Sequence, residues 1–258
     1  MRHLAENLKA LFRRFADRCG FFRCPLCMKN SGNGRNELCP ECRKQLKIHP
    51  VENRCRGCGG PNDTALAVCS GCLEFPLRPY VDAVAVMEYA GPGRELIRAM
   101  KFRMQPELAR PLALLAVEKL TESGMPFDVI VPIPLHWRRQ LLRSYNQSEL
   151  VAGLIAAEMN KPLLHALKKV RATPHQARLK RAQRQKNLKG VFAVKDRSFA
   201  GKQVLLVDDV LTTGATLSVA AKLLMENGAR AVRVLCCART PVRKAFPSLT
   251  NGGEKSLT

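Results

Sequence analysis

The chain has 258 residues, with 43 Lys and Arg against 21 Asp and Glu, and a formal net charge of +22. A hydrophobic fraction of 46% excludes a wholly disordered chain, and no run reaches the roughly 18 apolar residues of a membrane helix. We therefore expect no membrane span, no secretory leader and a cytoplasmic location, and the basic balance predicts a polyanionic partner.

The first segment, residues 1–19, is predicted to be an amphipathic helix. Leu and Phe recur at helical spacing over residues 4–18, with Arg and Lys between them. The segment is short and has no Trp, so we interpret it as a helix that packs on its own protein rather than on a membrane surface.

Residues 20–79 are dominated by Cys, Gly, Pro and Asn and contain four CxxC pairs. In a reducing compartment such pairs are typical of metal ligands, and four thiolates complete a tetrahedral zinc site without an open position for catalysis. The segment therefore predicts two structural zinc sites in a double zinc ribbon. Consecutive pairing closes the shorter loops and is favoured, although interleaved pairing stays open. The predicted ligands are Cys24, Cys27, Cys39, Cys42, Cys55, Cys58, Cys69 and Cys72.

Residues 80–240 alternate between strand-like and helix-like blocks, which predicts an α/β domain with a mainly parallel sheet. The block at 81–89 alternates like a half-exposed strand, whereas 204–207 is continuously apolar, like a central parallel strand. Further strands are predicted at 129–132 and 231–238, a strand or loop end at 189–194, and helices at 93–102, 106–123, 147–159 and 217–227. The polar tail over 241–258 is predicted to be disordered. The five histidines are scattered singly and are expected on the surface or in loops.

The most informative segment is residues 204–216, which read VLLVDDVLTTGAT. An apolar strand is followed by two carboxylates and then by a turn of small and hydroxyl residues that opens a helix. Free backbone N–H groups at a helix N-terminus favour a phosphate monoester, and Gly214 permits close approach. Asp208 and Asp209 can grip a vicinal diol or approach a magnesium ion. Phosphate, diol and metal together indicate a ribose 5-phosphate.

This segment resembles the phosphoribosyl pyrophosphate motif of the type I phosphoribosyltransferases. Residues 131–147 and 171–192, together with the double CxxC ribbon, resemble the ComF family, related to competence protein F. The family pattern in the second of these segments is matched by Thr173, Gln176, Arg184, Asn187, Gly190 and Phe192. One departure is Ser144, where the family usually has glycine.

The resemblance implies a type I phosphoribosyltransferase-like fold that binds phosphoribosyl pyrophosphate with magnesium. Asp208 and Asp209 would be the catalytic pair at the ribose hydroxyls and the metal. The 5-phosphate would lie on Thr212, Thr213, Gly214, Ala215 and Thr216. The other expected substrate-binding residues, several of them near the pyrophosphate, are Lys101, Arg138, Arg139, Arg143, Asn146, Gln147, Gln176, Arg184 and Asn187.

Residues 161–189 hold ten Lys and Arg and no acidic residue, beside the predicted phosphate site. We interpret this segment as a flexible loop that closes over the substrate, with enough charge to follow a nucleic-acid backbone as well. The resemblance links the family to uptake or use of external DNA. It leaves open whether the chain is an active transferase or a non-catalytic single-stranded-DNA-binding factor that senses a ligand in the pocket. A DNA-uptake or helicase-type protein is a further expected partner.

Overall fold

The computed structural model describes residues 23–31, 37–73, 78–136, 144–171 and 190–241. The predicted N-terminal helix, and all but the first residue of the predicted tail, lie outside these ranges. The domain boundaries drawn from composition stay predictions. Within the described residues no helix is long and apolar enough to span a membrane.

The described elements alternate as the sequence pattern predicts. The helices are α1 (Pro40–Lys44), α2 (Ser70–Leu73), α3 (Gly91–Phe102), α4 (Ala109–Ser123), α5 (Gln147–Glu158) and α6 (Ala215–Glu226), and one 3-10 turn covers Pro106–Leu108. The strands are β1 (Asp82–Glu88), β2 (Val129–Pro132), β3 (Leu167–Lys169), β4 (Phe192–Val194), β5 (Gln203–Leu211) and β6 (Ala231–Arg239). The segment predicted as one helix over 106–123 thus begins with a 3-10 turn.

Four strands form one sheet in the order β1-β6-β5-β2, and every neighbouring pair is parallel. Residues 204–207 of β5 are fully buried, because helices cover both faces of the sheet. On one face α3 and α4 pack against β1 and β6, and α5 packs against β5 and β2, whereas α6 packs on the other face. The predicted α/β class with a parallel sheet is confirmed.

Strand β1 is not half-exposed as its alternation predicted, because its five central residues are buried. The ribbon segment runs along its open edge and supplies hydrogen-bond partners. The backbone N–H of His49 donates to the carbonyl of Val86 at 2.9 Å, and that of Ala85 donates to Gly59 at 3.2 Å. An edge strand covered in this way is buried on its open side, which the strand's own sequence cannot reveal.

Strand β5 continues beyond the predicted apolar run. Its pairing with β6 extends through Val210 and Leu211, so Asp208 and Asp209 lie within the strand rather than after it. The pairing persists because β6 is equally long, with Leu211 in register with Arg239.

The beginning of the basic segment is not the flexible loop that its composition predicted. Residues 167–169 form β3, which pairs antiparallel with β4. Leu167 and Phe192 on these two strands are both buried, which fixes this part of the segment in place. Residues 172–189 lie outside the described part of the chain.

Candidate functional site

The eight CxxC cysteines form two clusters, each with four sulfur atoms within 4.8 Å of one another. Cys27 Sγ and Cys39 Sγ are 3.7 Å apart in one cluster, and Cys58 Sγ and Cys69 Sγ are 3.8 Å apart in the other. Tetrahedral zinc with Zn–S bonds of about 2.3 Å requires an S–S spacing of about 3.8 Å. Each cluster can therefore hold a zinc ion.

The clusters follow the consecutive pairing. The first zinc cluster consists of Cys24, Cys27, Cys39 and Cys42, and the second consists of Cys55, Cys58, Cys69 and Cys72. All four cysteines of the second cluster are buried, whereas Cys27 of the first is only partly so. Four thiolates would saturate an ion in each cluster, which suits a structural rather than a catalytic metal.

The predicted phosphate loop, residues 212–216 (the phosphate loop below), lies where β5 ends and α6 begins. Gly214 has φ of +75° and is the N-cap of α6, a left-handed conformation that side chains disfavour. Residues 208 and 210–217 line a partly open pocket. The pocket thus stands at the carboxyl end of a central parallel strand and at a helix N-terminus, where α/β proteins bind phosphates.

Asp208 and Asp209 are consecutive residues of β5 and contact different helices, α5 and α3 respectively. Asp208 lines the pocket, and its Oδ1 accepts hydrogen bonds from Ser148 Oγ at 3.0 Å and from the backbone N–H of Asp209 at 2.9 Å. Burial, followed by the neighbouring Asp209 carboxylate, raises the pKa of Asp208 to about 7. A cation placed in the pocket would relieve this repulsion.

Lys101 comes from the last turn of α3 and meets the other carboxylate. Its Nζ lies 2.7 Å from Asp209 Oδ1, with the two side chains 17% and 13% exposed. Burial acts to lower the pKa of Lys101, but the Asp209 carboxylate outweighs it, and the pKa is raised. The ion pair therefore joins α3 to β5 in its charged form.

Two further predicted residues, Asn146 and Gln147, open α5 and are buried. The Asn146 side chain caps the helix by accepting from the N–H of Ser148, and its Nδ2 donates to the carbonyl of Ile133 at 3.0 Å. Asn146 therefore holds the end of β2 and the start of α5 together. Ser144, which replaces the family glycine, has φ of +60°. The turn thus keeps the left-handed conformation that glycine adopts most easily.

The structure brings the carboxylates, the phosphate loop, Lys101 and the α5 N-terminus to one edge of the sheet. It does not describe the remaining predicted substrate-binding residues, which lie in 137–143 and 172–189. They are Arg138, Arg139, Arg143, Gln176, Arg184 and Asn187.

The motifs did not reveal every residue at this edge. Ser148, which bonds Asp208, carried no signal beyond its place in a helical block. Tyr145 donates its hydroxyl to the carbonyl of Met100, immediately before Lys101. His49 and His136, two of the histidines expected on the surface or in loops, do lie in loops but are buried, only 6% and 7% exposed.

The sequence model of the phosphoribosyl transferase domain family matches residues 146–250. The chain is 32% identical over 236 residues to the DNA utilization protein YhgH of Salmonella typhi, covering 86% of this chain and 96% of the relative. It is 35% identical over 227 residues to competence protein F of Haemophilus influenzae, covering 84% and 97%. It is 30% identical over 200 residues to competence protein ComFC of Bacillus subtilis, covering 74% and 79%.

Solved structures of phosphoribosyltransferases also align with the chain. The B. subtilis glutamine phosphoribosylpyrophosphate amidotransferase aligns at 19% identity and a TM-score of 0.39, over 55% of this chain and 30% of that one. The adenine phosphoribosyl transferase of Trypanosoma brucei aligns at 14% identity and a TM-score of 0.39, over 70% of this chain and 93% of that one.

Proposed function

Because the chain belongs to the ComF family and has a type I phosphoribosyltransferase-like fold, we propose that it binds phosphoribosyl pyrophosphate with magnesium and acts in the use of external DNA. The observation that carries the proposal is the meeting of a phosphate loop with two carboxylates at one edge of the sheet. Names of the relatives, competence protein F and DNA utilization protein, supply the connection to DNA.

The 5-phosphate is assigned to residues 212–216. Gly214 has no side chain to shield the backbone, and the N-terminus of α6 offers N–H groups and the positive end of its dipole. The hydroxyls of Thr212, Thr213 and Thr216 add donors at the same place. A phosphate here neutralises the helix end without requiring a nearby lysine.

The ribose hydroxyls and the magnesium ion are assigned to the carboxylate pair. Asp208 faces the pocket beside the phosphate loop, so its oxygens are available to a diol or to the shell of a hard cation. Asp209 is paired with Lys101. We assign Lys101, held beside the two carboxylates by this pair, to the pyrophosphate. Magnesium supplies charge neutralisation of that leaving group.

Transfer from this donor breaks the anomeric C–O bond to pyrophosphate and forms a C–N bond to a nitrogen nucleophile. The transition state has oxocarbenium character, so the protein needs no nucleophile of its own. It needs to hold the donor, stabilise the departing charge and exclude water. The residues of the described edge serve the first two needs.

Isothermal titration tests the proposal, with phosphoribosyl pyrophosphate and magnesium as the ligand. We expect Asp208→Asn combined with Asp209→Asn to weaken binding at least 100-fold, since charge-assisted contacts are worth about 1.5–3 kcal/mol each. Asp196→Asn is the matched control, because Asp196 is an exposed carboxylate bonded only locally, to Ser198. Absence of binding to the unaltered protein would refute the proposal.

A second candidate function is binding of single-stranded DNA, with the pocket as a ligand sensor. It is favoured by the ten Lys and Arg without an acid over residues 161–189. Of these, Lys168 and Lys169 lie on β3, which is fixed against β4. Because β3 is held in place, these two lysines present positive charges at fixed positions to which nucleic-acid phosphates can bind.

The two candidate functions predict different responses to salt and to amino-acid substitutions. Binding through phosphates predicts that the affinity for a labelled oligonucleotide falls steeply between 50 and 200 mM salt, by an amount that scales with the number of phosphate contacts. Charge reversal at Lys168 and Lys169 would weaken this binding, whereas the Asp208/Asp209 variant would not. A flat salt response would eliminate the DNA-binding mode.

A further inference from the structure

Arg78 lies between the second zinc cluster and the phosphate loop and touches both. Its Nη2 is 3.5 Å from Cys72 Sγ, a predicted zinc ligand. Its Nη1 donates to the Tyr80 hydroxyl at 2.5 Å, and that hydroxyl donates to the carbonyl of Gly57 at 2.8 Å, inside the Cys55–Cys58 turn. The guanidinium is therefore anchored at two points of the zinc ribbon.

The same guanidinium packs against the turn at Gly214, where α6 begins. A Cβ built on Gly214 would come within 2.6 Å of Arg78 Nη1 and 3.2 Å of Arg78 Cζ. The next nearest atom is the Tyr80 hydroxyl oxygen at 3.6 Å. Arg78 and Tyr80 thus form the wall against which the phosphate loop is set.

The charges in this arrangement are complementary. A zinc ion with four thiolates carries a net charge of about −2, which the adjacent guanidinium partly offsets. A second arginine, Arg239, approaches the same ribbon at Gly60, 2.7 Å from where a Cβ would lie. Arg239 has no comparable approach to Gly214. Among the described residues, Arg78 is therefore the cation that contacts both the cluster and the loop.

We propose that Arg78 is a positioning residue that couples the second zinc cluster to the phosphate loop, so that zinc at this cluster supports affinity for a 5-phosphate. The identity of the phosphate ligand rests on the proposed function. With zinc bound, Cys72 and Gly57 fix the guanidinium, which fixes the left-handed turn at Gly214 and brings a positive charge beside the loop. Without the arginine, the loop loses both its wall and that charge.

The first test measures binding by isothermal titration to zinc-loaded protein. We expect Arg78→Gln to lower the affinity for ribose 5-phosphate about tenfold. Its affinity for magnesium pyrophosphate, which has no 5-phosphate, should stay within twofold of that of the unaltered protein. The ribose 5-phosphate affinity of Arg78→Lys should lie between those of the unaltered protein and Arg78→Gln, because lysine keeps the positive charge but lacks the two-pronged guanidinium group. Zinc content, measured by atomic emission, should stay at two ions per chain.

The matched control is Arg54→Gln. Arg54 is also a partly buried arginine of the second ribbon that contacts the sheet domain, but its partner is Asp82 on β1 rather than the phosphate loop. We expect it to leave ribose 5-phosphate affinity unchanged. Equal weakening by both variants, or equal weakening toward pyrophosphate, would overturn the proposal in favour of a general structural role.

The second test needs no ligand, so it stands even if the proposed function fails. Amide hydrogen exchange should be several-fold faster over residues 212–216 in Arg78→Gln than in Arg54→Gln, each carrying two zinc ions. Unchanged exchange in this loop would overturn the coupling. If the unaltered protein binds neither ribose 5-phosphate nor phosphoribosyl pyrophosphate while exchange still responds to Arg78, the proposed function fails and the coupling stands.

A third measurement uses the reciprocity of linked equilibria. Saturating ribose 5-phosphate should slow the release of one of the two zinc ions to a chromophoric chelator by several-fold, and this slowing should disappear in Arg78→Gln. The proposal would be contradicted if the unaltered protein released zinc at the same rate with and without ribose 5-phosphate, under conditions where binding of this ligand is measured.

Discussion

His49 places a titratable ring between the ribbon and the sheet, where it is 6% exposed. Its Nε2 has no hydrogen-bond partner among the described residues. Burial, followed by the charge of Arg239, lowers the pKa of His49 to about 4. The native state therefore keeps the imidazole neutral, while the unfolded chain protonates it near pH 6.5.

The pH dependence of stability follows from this difference. Between pH 6.5 and 4 the unfolded state binds more protons than the native state, so stability is lost as the pH falls through this window. We expect His49 to contribute a loss of about 2 kcal/mol in the free energy of unfolding between pH 7.5 and 5. Urea unfolding at both pH values measures it.

The control for this prediction is His49→Gln, which cannot titrate in the window. Protonation of the zinc thiolates affects both proteins, so the difference between their pH profiles isolates the imidazole. Parallel profiles for the two proteins would show that His49 does not cause the pH dependence.

At the level of elements, the pair between Lys101 and Asp209 joins α3 to β5. Lys101→Met leaves Asp209 and Asp208 without their cation in a mostly buried setting. Breaking one side of such a pair costs about 3 kcal/mol, so we expect a loss of that size in the free energy of unfolding. Urea unfolding of the zinc-loaded protein measures it.

Two variants sharpen this prediction. Combining Lys101→Met with Asp209→Asn removes both charges and should regain most of the loss. Lys222→Met breaks a pair on α6 whose side chains are 70% and 58% exposed, so it should cost less than about 0.5 kcal/mol. Similar losses for the two lysines would contradict the view that burial makes the Lys101 pair important.

At the scale of the whole molecule, the ribbon segment is docked on the sheet by close backbone approach. Gly59 has φ of +71°, and a Cβ there would lie 2.3 Å from Ala85 N and 2.5 Å from Val84 C on β1. Both atoms are backbone and cannot move aside. We expect Gly59→Ala to lower the free energy of unfolding by at least about 3 kcal/mol and to expose the edge of β1.

Gly124→Ala separates the contribution of the clash from that of backbone strain. Gly124 also has a positive φ, +58°, but an added Cβ would meet nothing within 4 Å. It should therefore cost only the left-handed strain, about 1–2 kcal/mol. Thermal unfolding with zinc present, together with light scattering, compares the two. Equal losses would mean that the ribbon is not held by this contact.

Features that depend on local spacing could be predicted from the amino-acid sequence. Four CxxC pairs were sufficient to indicate two four-thiolate sites, since a CxxC turn points both thiolates at one ion. Strand and helix periodicity predicted the parallel α/β sheet, and the order of strand, two carboxylates and Thr-Thr-Gly predicted a phosphate loop at residues 212–216. These patterns can be recognised in the sequence because each lies within a short stretch of neighbouring residues.

Contacts between segments that are far apart in the sequence could be seen only once the chain was folded. It buried β1 and His49 by covering the edge of the sheet with the ribbon. It also placed Lys101 against Asp209 and Arg78 against Gly214, over separations of 108 and 136 residues. No periodicity encodes such pairs, because they arise when parallel strands and a docked ribbon bring distant segments to one edge.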